Sequence, residues 1–387
     1  MKINAILPDK GRDLRLDLFR GVANWAIYLD HIPDNVVNWV TTRNYGFSDA
    51  ADLFVFISGY TASFVYARMM LDRGFVVGAT RLTKRVWQLY VAHIILFVIY
   101  IAAITYLALR FGDSEMINEF NVAGLVDQAT ETLRQGLFLK FKPVNLDVLP
   151  LYIVLMGLFP PVLWFMLRQP DLTMVISIVL WLVSRQMGWN FTAYPAGTWY
   201  FNPLAWQVLF VFGAWCAMGG ARKSVAIINS KYTLWFCIAY LLFALVMTMA
   251  ARFPDFGAML PDWLFSHFKH NDKTFLAPYR FVHFVVLVIL VVRFVPKDWP
   301  GLEWKVWEPV VVCGQQSLAV FCVGVFLSFV AHFLLSLSSG SVLVQVLVSI
   351  AGISIMTLVA YYISWSKRQD KPLPKAPAPK APAATAA

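Results

Sequence analysis

Charge is scarce in this chain. Only 14% of its 387 residues are charged, 59% are hydrophobic and the mean hydropathy is +0.63. A water-soluble domain carries about 25% charged residues, so a single soluble core is excluded. Cysteine is nearly absent too. Cys216, Cys237, Cys313 and Cys322 all sit in apolar stretches without metal-ligand spacing, which predicts helix packing, no disulfide and no metal site. The chain lacks a repeat of fixed period and lacks an inverted repeat, which counts against many transporter architectures. No small-residue cleavage site follows the first apolar run, which holds Asp30 and His31. That run therefore reads as a membrane span and not as a removable leader.

What the chain does have is long apolar runs, from Leu16 to Trp365. Runs of roughly 18 to 25 apolar residues are the length that crosses a bilayer as a helix. The expected fold is all-α and polytopic, with ten spans near 16–35, 50–67, 86–108, 149–167, 172–188, 203–219, 232–250, 279–295, 310–334 and 342–365. A basic cytosolic tail (1–15) precedes this transmembrane domain (16–365), and an Ala/Pro/Lys-rich cytosolic tail (366–387), expected to be disordered, follows it. The net charge of +10 does not point to nucleic acid. With the N-terminus inside, 22 of the 32 Lys and Arg residues fall on the inner side, the bias that orients membrane proteins. The lipid bilayer is the expected partner, and both termini are expected in the cytosol.

Ionisable residues inside a span are costly and mark function. In the first span, Asp17, Arg20, Asn24, Tyr28 and His31 fall within an arc of about 80° on a helical projection. Arg20 and His31 are separated by about 16 Å along that axis, so the polar stripe joins the inner side to the outer half. In the second span, Ser48, Asp52, Gly59 and Ser63 share a face, with Asp49 further round, and Gly59 lets a neighbouring backbone approach. Asp49 or Asp52 is a candidate to orient His31 across the two helices, as carboxylates orient basic imidazoles. His93, His283 and His332 read as packing or interfacial residues.

Two outer segments are long enough to fold over the membrane surface, 110–147 and 252–278, the first with an amphipathic centre at 123–139. Asn202, Trp206 and Gln207, at the outer mouth of the sixth span, suit sugar binding and suit interfacial anchoring equally. Gln315, Gln316 and Ser317 either cap the ninth span or meet a ligand at the inner side. Arg81, Lys84 and Arg85 form an inner basic cluster that serves either as a topological anchor or as a phosphate site.

The spacing from Arg20 through ten residues to His31 resembles the first-helix signature of acyltransferase family 3, membrane enzymes that acylate polysaccharides and antibiotics. LFVFISGY (Leu53–Tyr60) resembles the second-helix motif of that superfamily, and RLTKR (Arg81–Arg85) leads into the third helix where the superfamily has a basic segment. Four blocks in order, RDLRLDLFRGVANWAIYLDHIPDN, GFSDAADLFVFISGY, WYFNPLAWQVLFVFGAW and GQQSLAVFCVGV, resemble the OpgC branch, which succinylates osmoregulated periplasmic glucans. The resemblance runs from Arg12 to about Ser364. It implies about ten transmembrane helices in a bacterial inner membrane, a cytosolic acyl-CoA donor (succinyl-CoA) as co-substrate, no permanently bound cofactor and a periplasmic glucan acceptor.

Under that resemblance the expected catalytic residues are His31, Asp49, Asp52 and Arg20. Arg20, Arg81, Lys84 and Arg85 are expected to hold the acyl-CoA phosphates, and Asn24, Asn202, Trp206 and Gln207 to meet substrate. His31 serves either as general base on a glucan hydroxyl or as the acyl-carrying nucleophile. The alternative is a secondary transporter whose Asp/Arg/His stripe relays protons, which the polar stripe alone fits as well.

Overall fold

In the computed structural model, the described residues are 3–7, 11, 13–111 and 114–370. Every regular element among them is helical, apart from an isolated bridge between Thr192 and Thr198. Each expected span coincides with helix: α1 (Leu14–Asp30), α2 (Ala50–Arg73), α3 (Phe75–Phe111), α4 (Val148–Met166), α5 (Pro170–Met187), α6 (Pro203–Ala217), α7 (Lys231–Arg252) and α8 (Pro278–Phe294), then α9 (Glu308–Gln315) with α10 (Ser317–Leu337), and α11 (Val342–Gln369). The count of ten crossings does not follow. Six helices, α2, α3, α4, α7, α10 and α11, are long and apolar enough to cross a membrane alone. The others run to 17 residues for α1 and α8, 18 for α5 and 15 for α6, and α1 carries its polar stripe besides.

The helix boundaries follow from local chemistry. Asp13 caps α1 by accepting from the Arg15 N–H at 3.1 Å. α2 opens with a capping box in which Asp49 accepts from Ala51 and the Asp49 N–H donates to Asp52 at 2.9 Å. Asn202 caps α6, with Pro203 at the first helical position, where its missing N–H costs nothing. The expected ninth span is broken at Gln316, whose side chain donates to Ser364 at 2.9 Å and accepts from Lys367 at 2.7 Å, tying the break to α11. α11 runs to Gln369, and the remainder of the expected tail, 371–387, lies outside the described residues.

Helices pair in lipid by close backbone packing, since the tails are as apolar as the side chains. Two pairs do this with reciprocal glycines. A Cβ at Gly59 on α2 would overlap the Phe210 carbonyl of α6, and one at Gly213 on α6 would overlap the Phe56 carbonyl of α2. Gly21 on α1 and Gly314 on α9 stand in the same relation to Val310 and Asp17. Gly59 thus does what its place on the helix face predicts. Large apolar side chains stay exposed on the opposite faces, such as Ile95, Val98 and Ile99 of α3 and Leu347, Ile350 and Leu358 of α11. That belt is where lipid belongs, and the protein is a helical membrane protein.

Candidate active site

Two cavities flank α1. The larger, about 1470 Å³, opens past its C-terminal end, where His31 forms the cap. Its walls come from the connections that follow α1 (30–39), precede α2 (43–49), run between α3 and α4 (119–148), precede α6 (193–201) and precede α8 (268–273), together with the end of α7. The two long segments expected over the membrane surface are both in this wall. Small-molecule sites usually span about 300–1,000 Å³, so this one has room for a chain of several rings. Aromatic side chains line it: Trp39, Phe47, Phe120, Tyr194, Tyr200 and Phe268. The Nδ1 atom of His31 is buried and has no hydrogen-bond partner among the described residues.

Asp49 and Asp52 do not orient His31. Asp49 accepts from Lys273 Nζ at 2.6 Å and from Arg280 Nη2 at 2.9 Å, and Asp52 accepts from Arg280 Nε at 3.1 Å as well as from its Nη2. Arg280 is 2% exposed and also donates to the Phe47 carbonyl at 2.8 Å. Two buried carboxylates facing one guanidinium are stable only as a set, because each charge compensates the desolvation of the others. The expected pairing with His31 loses to this network, in which Arg280 and Lys273 together supply the charge the two carboxylates need.

Arg280 and Lys273 are residues that the sequence reading passed over. Asn202 and Trp206, expected to touch sugar, serve Lys273 instead. The Asn202 N–H donates to the Thr274 carbonyl at 3.3 Å and Trp206 Nε1 to the Lys273 carbonyl at 2.8 Å, fixing the segment that carries the lysine. Gln207 is satisfied within the bundle, accepting from Ser177 Oγ at 2.6 Å and donating to the Ser177 carbonyl at 2.8 Å. None of the three lines the cavity.

A second pair missed from sequence lines the wall between α3 and α4. Lys142 is nine-tenths buried, its ammonium 3.9 Å from the centre of the Trp199 ring and donating to the Leu139 carbonyl at 3.2 Å. Burial pulls its pKa down to about 8, against the pull of Asp147. Asp147 lies on the same wall, where burial pushes its carboxyl up to about 6. His332, read from sequence as packing or interfacial, lies in this wall and meets Glu119 at 3.1 Å, whereas His283 meets Ser48 Oγ at 2.7 Å within the bundle.

The smaller cavity, about 170 Å³, lies beside the N-terminal half of α1 between α2, α3, α4 and the start of α10. Arg20 and Arg85 both line it, with Thr61, Tyr66, Tyr152 and Ser317. Arg20 Nη2 donates to Thr61 Oγ1 at 2.7 Å, which aims the guanidinium. The structure therefore brings together two of the four expected phosphate ligands. Arg81 and Lys84 are exposed on α3 and line neither cavity. Asn24 sits on α1 between Arg20 and the His31 cap, donating to Ser317 Oγ at 3.2 Å, while its Oδ1 is buried without a partner among the described residues. Phe54 and Leu149 line the small cavity, and Asp49 and Val148 the large one, so the starts of α2 and α4 border both.

No group of three or more His, Cys, Asp or Glu among the described residues is placed to hold a metal ion. Comparison with curated proteins and with solved structures returned no match. Residues 12–368 match the profile of the family described as OpgC protein, and the chain belongs to that family. Membership implies an acyltransferase role connected with osmoregulated periplasmic glucans.

Proposed function

We propose that this member of the OpgC family is an inner-membrane O-acyltransferase of the acyltransferase family 3 type, moving a succinyl group from cytosolic succinyl-CoA to hydroxyls of a periplasmic glucan. Both termini are cytosolic in this reading, α1 and its short neighbours complete ten crossings, and the large cavity faces the periplasm. The observation that carries the proposal is His31. It stands at the end of the polar stripe of α1, on the wall of a wide aromatic cavity, with a ring nitrogen that has no hydrogen-bond partner among the described residues.

The donor enters at the small cavity. Guanidinium forks suit phosphate oxygens, so Arg20 and Arg85 hold the nucleotide end, which cannot cross the membrane. The acyl-bearing arm then passes Asn24, whose free carbonyl oxygen accepts from an amide N–H of the arm, and displaces the Phe54 and Leu149 wall. In the large cavity the rings stack against sugar. His31 takes the proton of a glucan hydroxyl as its oxygen attacks the thioester carbonyl; the C–S bond breaks, and the thiolate leaves with a proton returned by His31. The product is a glucan ester and free CoA.

Purified protein with labelled succinyl-CoA and glucan tests this reading. A covalently labelled glucan supports it, and a carrier would give none. Mass spectrometry of glucans from a deletion strain should show loss of the acyl substituent, restored by the wild-type gene. A deletion strain whose glucans keep their full acyl content would refute the proposal.

A further inference from the structure

Lys142 makes no ion pair among the described residues, and Asp147 on the same wall acts on it only at longer range. No carboxylate among the described residues lies within 4.0 Å of its ammonium, and its contacts are one backbone carbonyl and the face of Trp199. Of the other cations in the same cavity, Lys273 and Arg280 are engaged with Asp49 and Arg43 with the Asp30 carbonyl at 3.0 Å, while Lys140, Lys269 and Arg252 are exposed to solvent. A nine-tenths buried ammonium is costly unless a charge arrives to meet it. The indole face stabilises a cation without neutralising it, so the site stays receptive to an anion. A phosphate has no need to reach this cavity in the reading above, whereas a carboxylate does, since a succinyl group carries one at its free end.

We propose that Lys142 is the carboxylate-binding, specificity-determining residue of the large cavity. It holds the free end of a dicarboxylic acyl group while the other end reacts. This inference rests on the acyltransferase reading and adds to it the reason for a charged acyl group over a neutral one. The carboxylate has two possible sources, the incoming donor or a glucan already acylated, and one set of assays separates them.

The purified full-length protein is offered succinyl-CoA and, separately, butyryl-CoA, which has the same four-carbon chain without the terminal carboxylate. With unmodified glucan, Lys142→Met should lower the ratio of succinyl to butyryl transfer by roughly ten- to a hundredfold, the scale of one charge-assisted contact. Lys142→Arg, which restores the charge, should recover most of that ratio. A loss seen with either donor, but only on glucan that already carries succinyl groups, assigns the carboxylate to the acceptor and overturns the role of Lys142 in the choice of donor. Wild-type behaviour of Lys142→Met on both acceptors overturns the proposal and leaves the acyltransferase reading standing.

A readout without turnover guards against misfolding. Free succinate should raise the thermal midpoint of the wild-type protein, butyramide should not, and Lys142→Met should lose the response. If the wild-type protein transfers neither acyl group yet responds to succinate through Lys142, the function fails and the carboxylate site stands. If succinate has no effect on the wild-type midpoint at millimolar concentration, the site is refuted.

Discussion

The two cavities beside α1 are built in opposite ways. The small one is cut between helices, and its charged lining is Arg20 and Arg85. The large one is walled mainly by connecting segments, and cations and carboxylates alternate around it. A cavity cut between helices inherits its chemistry from helix faces, which repeat every 3.6 residues and can be projected from sequence. A cavity built from loops draws on residues far apart in the chain, such as Asp30, Lys142 and Lys273, whose meeting no periodicity announces. The small cavity suits a ligand held by its charge, and the large one a ligand held by shape and stacking with chemistry at a single point.

The largest effect expected is at that point. His31→Ala should cut acyl transfer by about a hundred- to ten-thousand-fold, the usual contribution of a general base. The variant should still fold, because His31 caps a helix end at a wide cavity, with no side-chain partner at its buried Nδ1. Glucans from cells carrying it should lose the negative charge of the substituent, which electrophoresis reads directly. Anionic glucans at wild-type level would make the large cavity a binding surface and not a reaction chamber.

Next comes the buried ion set. Arg280→Met would leave Asp49 and Asp52 desolvated with only Lys273 nearby, and one-sided loss of a buried pair costs about 3–5 kcal/mol. Thermal unfolding in detergent should show a much less stable protein, with Asp52→Asn milder because a neutral amide can still accept from Arg280. An Arg280→Met protein as stable as wild type would mean that water, not this network, supports the loop wall.

Much of this was legible in the sequence. The polar stripe of α1, the close approach at Gly59 and the helical location of each expected span follow from periodicity and composition alone. Arg280 was legible too and was passed over: it lies within the expected span 279–295, where the cost of an intramembrane charge applies as it does to Arg20. The pairing of Asp49 and Asp52 was not legible, because a projection gives each helix its face but not its neighbour, and α8 sits more than 200 residues away. Lys142 was hidden for a different reason. A lysine in a polar loop reads as exposed, and only the folding of that loop over Trp199 buries it. The extent of α1, α5, α6 and α8 marks a third limit. Apolar composition finds a helix, but polar residues and proline set where it stops.

The donor end sharpens the comparison further. Arg20→Ala and Arg85→Ala should each raise the KM for acyl-CoA by roughly ten- to a hundredfold, the value of a charge-assisted phosphate contact. Arg81→Ala and Lys84→Ala, exposed and away from the cavity, should change it less than about twofold, as solvated surface charges do. Steady-state kinetics at saturating glucan gives the order. If all four weaken donor binding alike, the nucleotide lies across the α3 surface and the small cavity is not its seat.

The smallest effect is a pH dependence, and it isolates one wall of the large cavity, the one that carries Lys142 and Asp147. Carboxylate capture at Lys142 needs the ammonium form, so succinate affinity should fall as pH rises through about 8, by up to tenfold per unit once the amine is neutral. On the acid side the effect reverses in origin. Asp147 takes up its proton as pH falls through about 6, which removes a negative charge from the neighbourhood of the bound carboxylate and should strengthen capture modestly. Stability must run the other way above pH 8. The folded pKa of Lys142 lies below its usual 10.5, so between about 8 and 10.5 the unfolded chain binds more protons and this residue's contribution makes the folded state more stable as pH rises. Loss of succinate binding without loss of thermal stability across that interval would identify the titrating group as a buried amine. Lys142→Arg should hold the affinity flat to above pH 10, because a guanidinium keeps its charge there. If wild type and Lys142→Arg decline together, the titrating group is not Lys142.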